Sequence, residues 1–258
     1  LKVIVFGATG RVGRAVALTL LAAGHEVTAF ARDATKLPAQ KGIAAIVGDA
    51  TNALEVANAV SGQDAVVVSL GDSRNPFALA LGAKRATPMN ICEIGTANVI
   101  DAAEAASVRR LVCVSSYGVG DTRAMLPPLH KLIFRWLRLG EQMADKEKQE
   151  QLVKLSSLDW TLVQPVGLTD GAATGRWLAS TSGERRKRTI SRVDFAAFIV
   201  EILSGACNIR ETVVLSGLTV SNKIVSRRTY WSLNRGPLSL TALTRMFPVR
   251  ASAQIAKK

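Results

Sequence analysis

The sequence predicts a doubly wound α/β fold built on a mostly parallel sheet. Strand-like and helix-like runs alternate throughout the first 216 residues, the pattern of repeated βα units. Most strand-like runs are continuous apolar stretches, as parallel strands are when helices cover both faces. A glycine-rich loop joins the first such run to the first helical pattern. The length of 258 residues and the 48% hydrophobic content suit one domain of this kind.

Seven strands are expected: KVIVF (2–6), EVTAF (26–30), IAAIV (43–47), DAVVVSL (64–70), RLVCVS (110–115), DWTLVQ (159–164) and TVVLS (212–216). Helical patterns lie at about 11–23, 52–61, 91–106, 142–156 and 192–203. The expected strand order is 3-2-1-4-5-6, with a ligand crevice at the carboxyl ends of strands 1 and 4. The connections 72–90, 117–141 and 166–191 are long and each follows a strand, so they are expected to build the substrate pocket. The pattern stops at residue 217. Residues 217–258, interrupted by Pro237 and Pro248, read as a basic, poorly ordered tail beyond a single domain at 1–216.

Composition excludes several classes. No run reaches the about 18 uninterrupted apolar residues of a membrane span. KVIVF runs directly into the glycine loop and reads as a strand rather than as a leader. Cys92, Cys113 and Cys207 are odd in number, widely spaced and set in segments that read as buried, which suits reduced thiols in a cytoplasmic protein. With only His25 and His130, no metal site is expected. The net charge of +13 is uneven: residues 217–258 hold eight Lys and Arg and no acid, leaving +5 elsewhere. The tail carries no nucleic-acid motif, so the expected partner is a small molecule, with neither nucleic acid nor membrane, and the expected state a monomer or weak dimer.

The chemistry begins at Gly7-Ala8-Thr9-Gly10-Arg11-Val12-Gly13. Gly7 permits a tight turn, Gly10 lets backbone approach a pyrophosphate, and Gly13 lets helix and strand pack closely. The helix that follows offers free N–H groups and the positive end of its dipole to the phosphates. A glycine-rich turn alone carries little, but its strand–turn–helix setting predicts a nicotinamide dinucleotide on a Rossmann-type fold. Strand 2 ends Phe30-Ala31-Arg32-Asp33. Arg32 suits the 2′-phosphate of NADP(H); Asp33 in that role would instead suit NAD, and a solvated arginine is the plain alternative. In Gly48-Asp49-Ala50, Asp49 is a candidate adenine contact or an ordinary helix cap.

The G-x-x-G-x-x-G spacing with its GATG start resembles the extended and atypical short-chain dehydrogenase/reductases. Strand 4, GQDAVVVSLGDSRN, is similar to the flavin/biliverdin reductase B family. So are Ala31-Arg32-Asp33, Val47-Gly48-Asp49, Val114-Ser115-Ser116, Ser157-Leu158-Asp159-Trp160 and Ile190-Ser191-Arg192-Val193-Asp194. The resemblance implies that Ser69, Leu70 and Gly71 line the nicotinamide ribose and diphosphate, with Arg74 near a phosphate or simply on a surface loop. Ser115, Lys146 and Pro165 are further cofactor-contact candidates; Ser116 is expected to face the nicotinamide and Lys146 to reach its ribose, and these two are the catalytic candidates. The usual tyrosine four residues before the lysine is replaced by Gln142. Histidines that the family shows at the positions of Lys146 and Val166 are also absent. An amide cannot donate a proton as a phenol does, which disfavours alcohol–ketone chemistry and a sugar epimerase. Hydride transfer to an electron-poor ring stays open, because solvent can supply the proton. The expectation is an NADPH-dependent reductase of a flavin, quinone or similar conjugated acceptor. The alternative is a non-catalytic NAD(P) sensor like the NmrA-type regulators.

Plain readings stand beside these. Asp145–Glu150 reads equally as a charge-alternating helix surface, and Arg185-Arg186-Lys187-Arg188 as a solvated loop. His25 and His130 show no partner, and Phe134 and Trp136 suit a helix packing face as well as a substrate wall.

Overall fold

The computed structural model describes residues 1–37, 40–71, 84, 87–126 and 140–218. In chain order these form β1 (Lys2–Phe6), α1 (Arg11–Ala22), β2 (Glu26–Ala31), β3 (Ile43–Val47), α2 (Ala53–Val60), β4 (Ala65–Val68) and α3 (Ile91–Ala105). There follow β5 (Arg110–Val114), α4 (Gly140–Leu155), β6 (Asp159–Pro165), β7 (Gly167–Thr169), β8 (Trp177–Ser180), β9 (Thr189–Ser191), α5 (Arg192–Ser204) and β10 (Glu211–Gly217).

Eight strands form one sheet in the order β3-β2-β1-β4-β5-β6-β10-β8. The expected 3-2-1-4-5-6 core is present, with the strand at 211–217 parallel to β6. Alternate residues along each strand enter opposite layers. Val3 and Val5 pack with α1 and α5, while Ile4 and Phe6 pack with α2 and α3. Ala65 and Val67 divide from Val66 and Val68 in the same way. Val3, Ile4, Val5 and Phe6 are each fully buried, and burying such a side chain stabilises by about 1.5–3 kcal/mol. The two layers of apolar contact hold the carboxyl ends of β1, β4, β5 and β6 level.

The connection 166–191 is not a plain loop. It holds β8, which runs antiparallel to β10 at the sheet edge, and β7 and β9, which pair parallel in a small second sheet. These strands are three or four residues long, too short for their alternation to stand out in sequence. β3 also departs from the pattern of doubly covered strands. As an edge strand it leaves Ala44, Ala45 and Val47 exposed. Cys207 is half-buried rather than buried, whereas Cys92 and Cys113 are in the core. Among the described residues no helix is long and apolar enough to cross a membrane. Arg74, His130, Phe134, Trp136, most of the connections 72–90 and 117–141, and the tail from 219 lie outside the described residues.

Candidate functional site

The glycine loop is built by contact between backbones. Gly7 has φ +79°, and a Cβ there would stand 2.3 Å from the Ser69 carbonyl oxygen. A Cβ on Gly13 would stand 2.3 Å from the Gly7 carbonyl oxygen, so β1, β4 and α1 meet where only hydrogen fits. Gly10 differs: its Cβ would meet only the Gly7 oxygen, at 3.3 Å. Gly10 is also the N-cap of α1, with no side-chain cap and no acid in the first turn. The first N–H groups of α1 therefore have no side-chain acceptor from the helix start, and this end of the helix suits an anion.

A cleft opens over this loop. Gly7, Thr9 and Gly10 form its floor, Arg32 and Gly48–Ala50 one wall, and Ser69, Leu70 and Gly71 the other. Phe30, Ala31, Thr87 and Ile91 also line it. Sequence reasoning missed those four. Phe30 and Ala31 read only as strand, and Thr87 and Ile91 come to the cleft through the start of α3. Arg11, Val12 and Gly13 do not line it. Arg11 pairs with Asp170 at 3.3 Å, Val12 packs on the core, and Gly13 lies buried beneath Gly7.

The two acids that flank Arg32 and the Gly48–Ala50 wall are occupied. Asp33 accepts from Thr35 N (3.0 Å) and Thr35 Oγ1 (2.5 Å) and pairs with Lys36 Nζ (3.0 Å). The Thr35 hydroxyl, Lys36 and the Thr35 amide together hold its carboxyl below the usual range. Asp49 accepts from Thr51 N and Oγ1, each at 2.9 Å. The Thr51 amide is the main reason its carboxyl is lowered, with the Arg32 charge a smaller one. The helix cap at this point is Asn52, which accepts from Leu54 N and Glu55 N, rather than Asp49.

Beyond Leu70, past the residues that line the cleft, α4 brings Lys146 across the ends of β4 and β5, and Ser115, Ser116, Lys146 and Pro165 do not line the cleft themselves. Its Nζ donates to Val114 O at 3.1 Å and Leu70 O at 3.4 Å. Ser116 follows β5 and is half-buried, with its carbonyl accepting from Val119 N at 3.2 Å. Pro165 closes β6 and accepts from Tyr117 N at 3.1 Å. Tyr117 is buried among apolar side chains, with Arg185 4.8 Å above its ring. The structure thus gathers Leu70, Ser115, Ser116, Lys146 and Pro165 at adjacent strand ends. Gln142, one helical turn before Lys146, is half-buried on α4.

The surface reading of Asp145–Glu150 is corrected: Asp145, Gln149 and Glu150 are buried. The Ser115 hydroxyl donates to Glu150, and Gln164 Nε2 donates to the same carboxylate oxygen at 2.7 Å. Gln164 Oε1 lies 2.9 Å from the Thr122 hydroxyl, which accepts from Gly118 N at 2.8 Å. Burial pushes the Glu150 carboxyl up, against the pull of Ser115, Gln164 and Lys154. Its Oε2 has no hydrogen-bond partner among the described residues. Asp145, Gln149 and Glu150 of α4 therefore form a polar interior, while Glu147, Lys148 and Lys154 of the same helix pair with Arg123, Glu93 and Asp121. Burial likewise raises the Cys92 thiol to about 11, and the Cys113 thiol further, so both stay protonated and unreactive at neutral pH.

The basic run is also not a free loop. Arg186 N donates to Ser216 Oγ and Lys187 N to Gly217 O, both at 3.1 Å, and Arg186 pairs with Glu184 at 2.6 Å. Among the described residues no group of three or more His, Cys, Asp or Glu could hold a metal.

Residues 7–205 match the NAD(P)H-binding family. An uncharacterized chloroplastic protein of Arabidopsis thaliana is 28% identical over 78% of this chain and 71% of its own length. A 3-beta-hydroxysteroid dehydrogenase of Mycolicibacterium neoaurum is 35% identical, over 46% of this chain and only 32% of its own. Among solved structures, an anaerobilin reductase of Escherichia coli O157:H7 is similar with a TM-score of 0.69 at 27% identity, covering 86% of this chain and all of that one. A short-chain dehydrogenase/reductase of Veillonella parvula in complex with NADP shares the fold, with a TM-score of 0.67 at 18% identity over 83% of this chain and 94% of that one. The match spans the glycine loop, both cleft walls and α4, and this chain, whose relatives include oxidoreductases, belongs to the NAD(P)H-binding family.

Proposed function

We propose that this chain is an NADPH-dependent reductase of a flavin, quinone or similar conjugated acceptor. The observation that carries the reading is the placement of Lys146. Its ammonium bridges the Leu70 and Val114 carbonyls just beyond the cleft, while the residue one turn before it is Gln142. The site thus offers a cation for a ribose hydroxyl, with an amide rather than a phenol one turn before it.

The residues present fit a dinucleotide. A side chain at Gly10 would fill the space that a diphosphate needs, and the α1 N-terminus opens on that space. When bound, NADPH supplies the hydride. Ser69, Leu70 and Gly71 then hold the diphosphate and nicotinamide ribose, Lys146 fixes the ribose, and Ser116 faces the nicotinamide. Two stacked rings need mainly to be positioned, and water can protonate the reduced acceptor. Arg32 lines the cleft while the Asp33 carboxylate is taken by Thr35 and Lys36, which favours a 2′-phosphate over a 2′-hydroxyl. The similarity to the anaerobilin reductase of Escherichia coli supports an extended conjugated acceptor.

The test is NADPH oxidation across flavins, quinones and linear tetrapyrroles. Acceptor-dependent oxidation well above background supports the reductase. Tight NADPH binding with no oxidation by any acceptor replaces it with an NAD(P)-sensing module, which the glutamine at position 142 would suit.

A further inference from the structure

We infer that Asp145 is a positioning residue for Lys146, clamping α4 to the cleft wall so that the lysine reaches the cofactor; this rests on the role just proposed for Lys146. Adjacent residues on a helix point about 100° apart, so the two side chains face different neighbours. The Asp145 carboxylate accepts from Cys92 N at 3.0 Å and Glu93 N at 2.8 Å, the opening N–H groups of α3. Asn90, the N-cap of α3, makes no side-chain cap bond. An acid from a second helix therefore caps α3, favoured by the positive end of the helix dipole.

The cap is placed where it matters for the site. α3 begins with Ile91, which lines the cleft. Cys92 Sγ lies 3.5 Å from Leu70 O, the same carbonyl that Lys146 Nζ meets at 3.4 Å. Asp145 thus ties α4 to α3, α3 touches Leu70, and Lys146 touches Leu70 from the other side. Two other polar links join these helices: Lys148 with Glu93 at 2.8 Å is exposed on the lysine side and contributes little, and Gln149 Nε2 donates to the buried Thr96 hydroxyl at 2.8 Å, one turn further along α3 than the end that Asp145 holds. Asp145 is only 7% exposed, so its two bonds are shielded from water. A lysine has a flexible four-carbon stem, and the position of its ammonium depends on how firmly its backbone is held.

A double-mutant cycle on the full chain tests this through NADPH affinity, read from the change in NADPH fluorescence on binding, and through turnover with the best acceptor found. D145A and K146A are each expected to weaken NADPH about five- to tenfold, and D145A to add less than about twofold in the K146A background. D145N keeps one acceptor oxygen and should fall between wild type and D145A. An undiminished loss from D145A in the K146A background would show that Asp145 acts independently of the lysine and overturn the proposal. So would a D145A chain with wild-type NADPH affinity and turnover. If D145A does not fold, the cycle is run with D145N, and additivity there overturns the proposal equally. Absence of turnover with every acceptor would defeat the reductase reading but leave the affinity cycle able to decide this one.

Discussion

The two ends of the proposed site are built from different materials. Around Gly7 and Gly13 backbone meets backbone: carbonyl oxygens stand where side chains would be, and at Gly10 the helix offers its own N–H groups. Around Lys146, beyond the residues that line the cleft, the fabric is side chains. The Ser115–Glu150–Gln164 chain, the Asp145 clamp and the lysine itself all depend on residue identity and burial. Under the proposed function the backbone end would serve a ligand part that every dinucleotide shares. The side-chain end can be altered one residue at a time, and it is where chemistry and specificity can diverge between relatives of one fold.

The sharpest way to break this comparison is at Gly10. Valine there is expected to weaken NADPH by about a hundredfold or more, ~2.7 kcal/mol, because its side chain takes the diphosphate space. The fold should lose only about 1 kcal/mol, the scale of a poorer N-cap, because a Cβ at Gly10 meets a single atom at 3.3 Å. Gly13→Val should instead unfold the chain, since its Cβ overlaps the Gly7 oxygen. Isothermal titration beside thermal melts separates the two outcomes. If G10V binds NADPH normally, the cleft is not the cofactor site. At the side-chain end, Ser116→Ala and Lys146→Ala should each lower turnover by about ten- to a few hundredfold, the scale of lost positioning or one polar contact. Complete loss in S116A would make Ser116 an obligatory acid and defeat the view that water protonates the acceptor.

The same division explains what could be read in the sequence. The order of the core sheet and the roles of Gly7 and Gly13 follow from periodicity and from turns that only glycine allows, and both are local signals. The Asp145, Gln149 and Glu150 face of α4 is not local. In sequence its charges alternate like a solvated surface, and only the neighbours brought by β5, β6 and α3 make it interior. A buried charge is legible only through its partners, and Ser115, Gln164 and Cys92 lie 14 to 53 residues away from the side chains they meet. The edge strand β8 escaped for another reason, being four residues long and paired antiparallel within a connection otherwise irregular.

Cofactor choice sharpens the comparison further, because Arg32, the proposed partner of the 2′-phosphate, is a side chain at the backbone end. Arg32→Ala should weaken NADPH by about 1.5–3 kcal/mol, the scale of a charge-assisted hydrogen bond, and leave NADH almost unchanged. Equal losses for both cofactors, or a wild-type preference for NADH, would remove Arg32 from that role and return attention to Asp33.

The smallest effect expected concerns pH and should be confined to the side-chain end. Burial raises the Glu150 carboxyl above its ordinary value, so the folded chain holds that proton more tightly than the unfolded chain does. Stability from this group is therefore intact below the unfolded value of about 4.3 and is lost as pH rises through the higher folded value. Glu150→Gln has no such titration. Its carbonyl still accepts from Ser115 and Gln164, while its NH₂ takes the place of the unpartnered Oε2 and lowers stability by an amount that does not depend on pH. The informative quantity is thus the difference in melting temperature between variant and wild type as a function of pH. It should move in favour of E150Q from pH 5 toward pH 8, whatever its starting value. Lys154, which pairs with Asp121 at 2.7 Å, pulls the other way on Glu150. If that attraction outweighs burial, the difference will stay flat between pH 5 and pH 8 and move in favour of wild type only as pH rises toward about 4.3, and Glu150 would then be an ionised anchor for Ser115 rather than a protonated one.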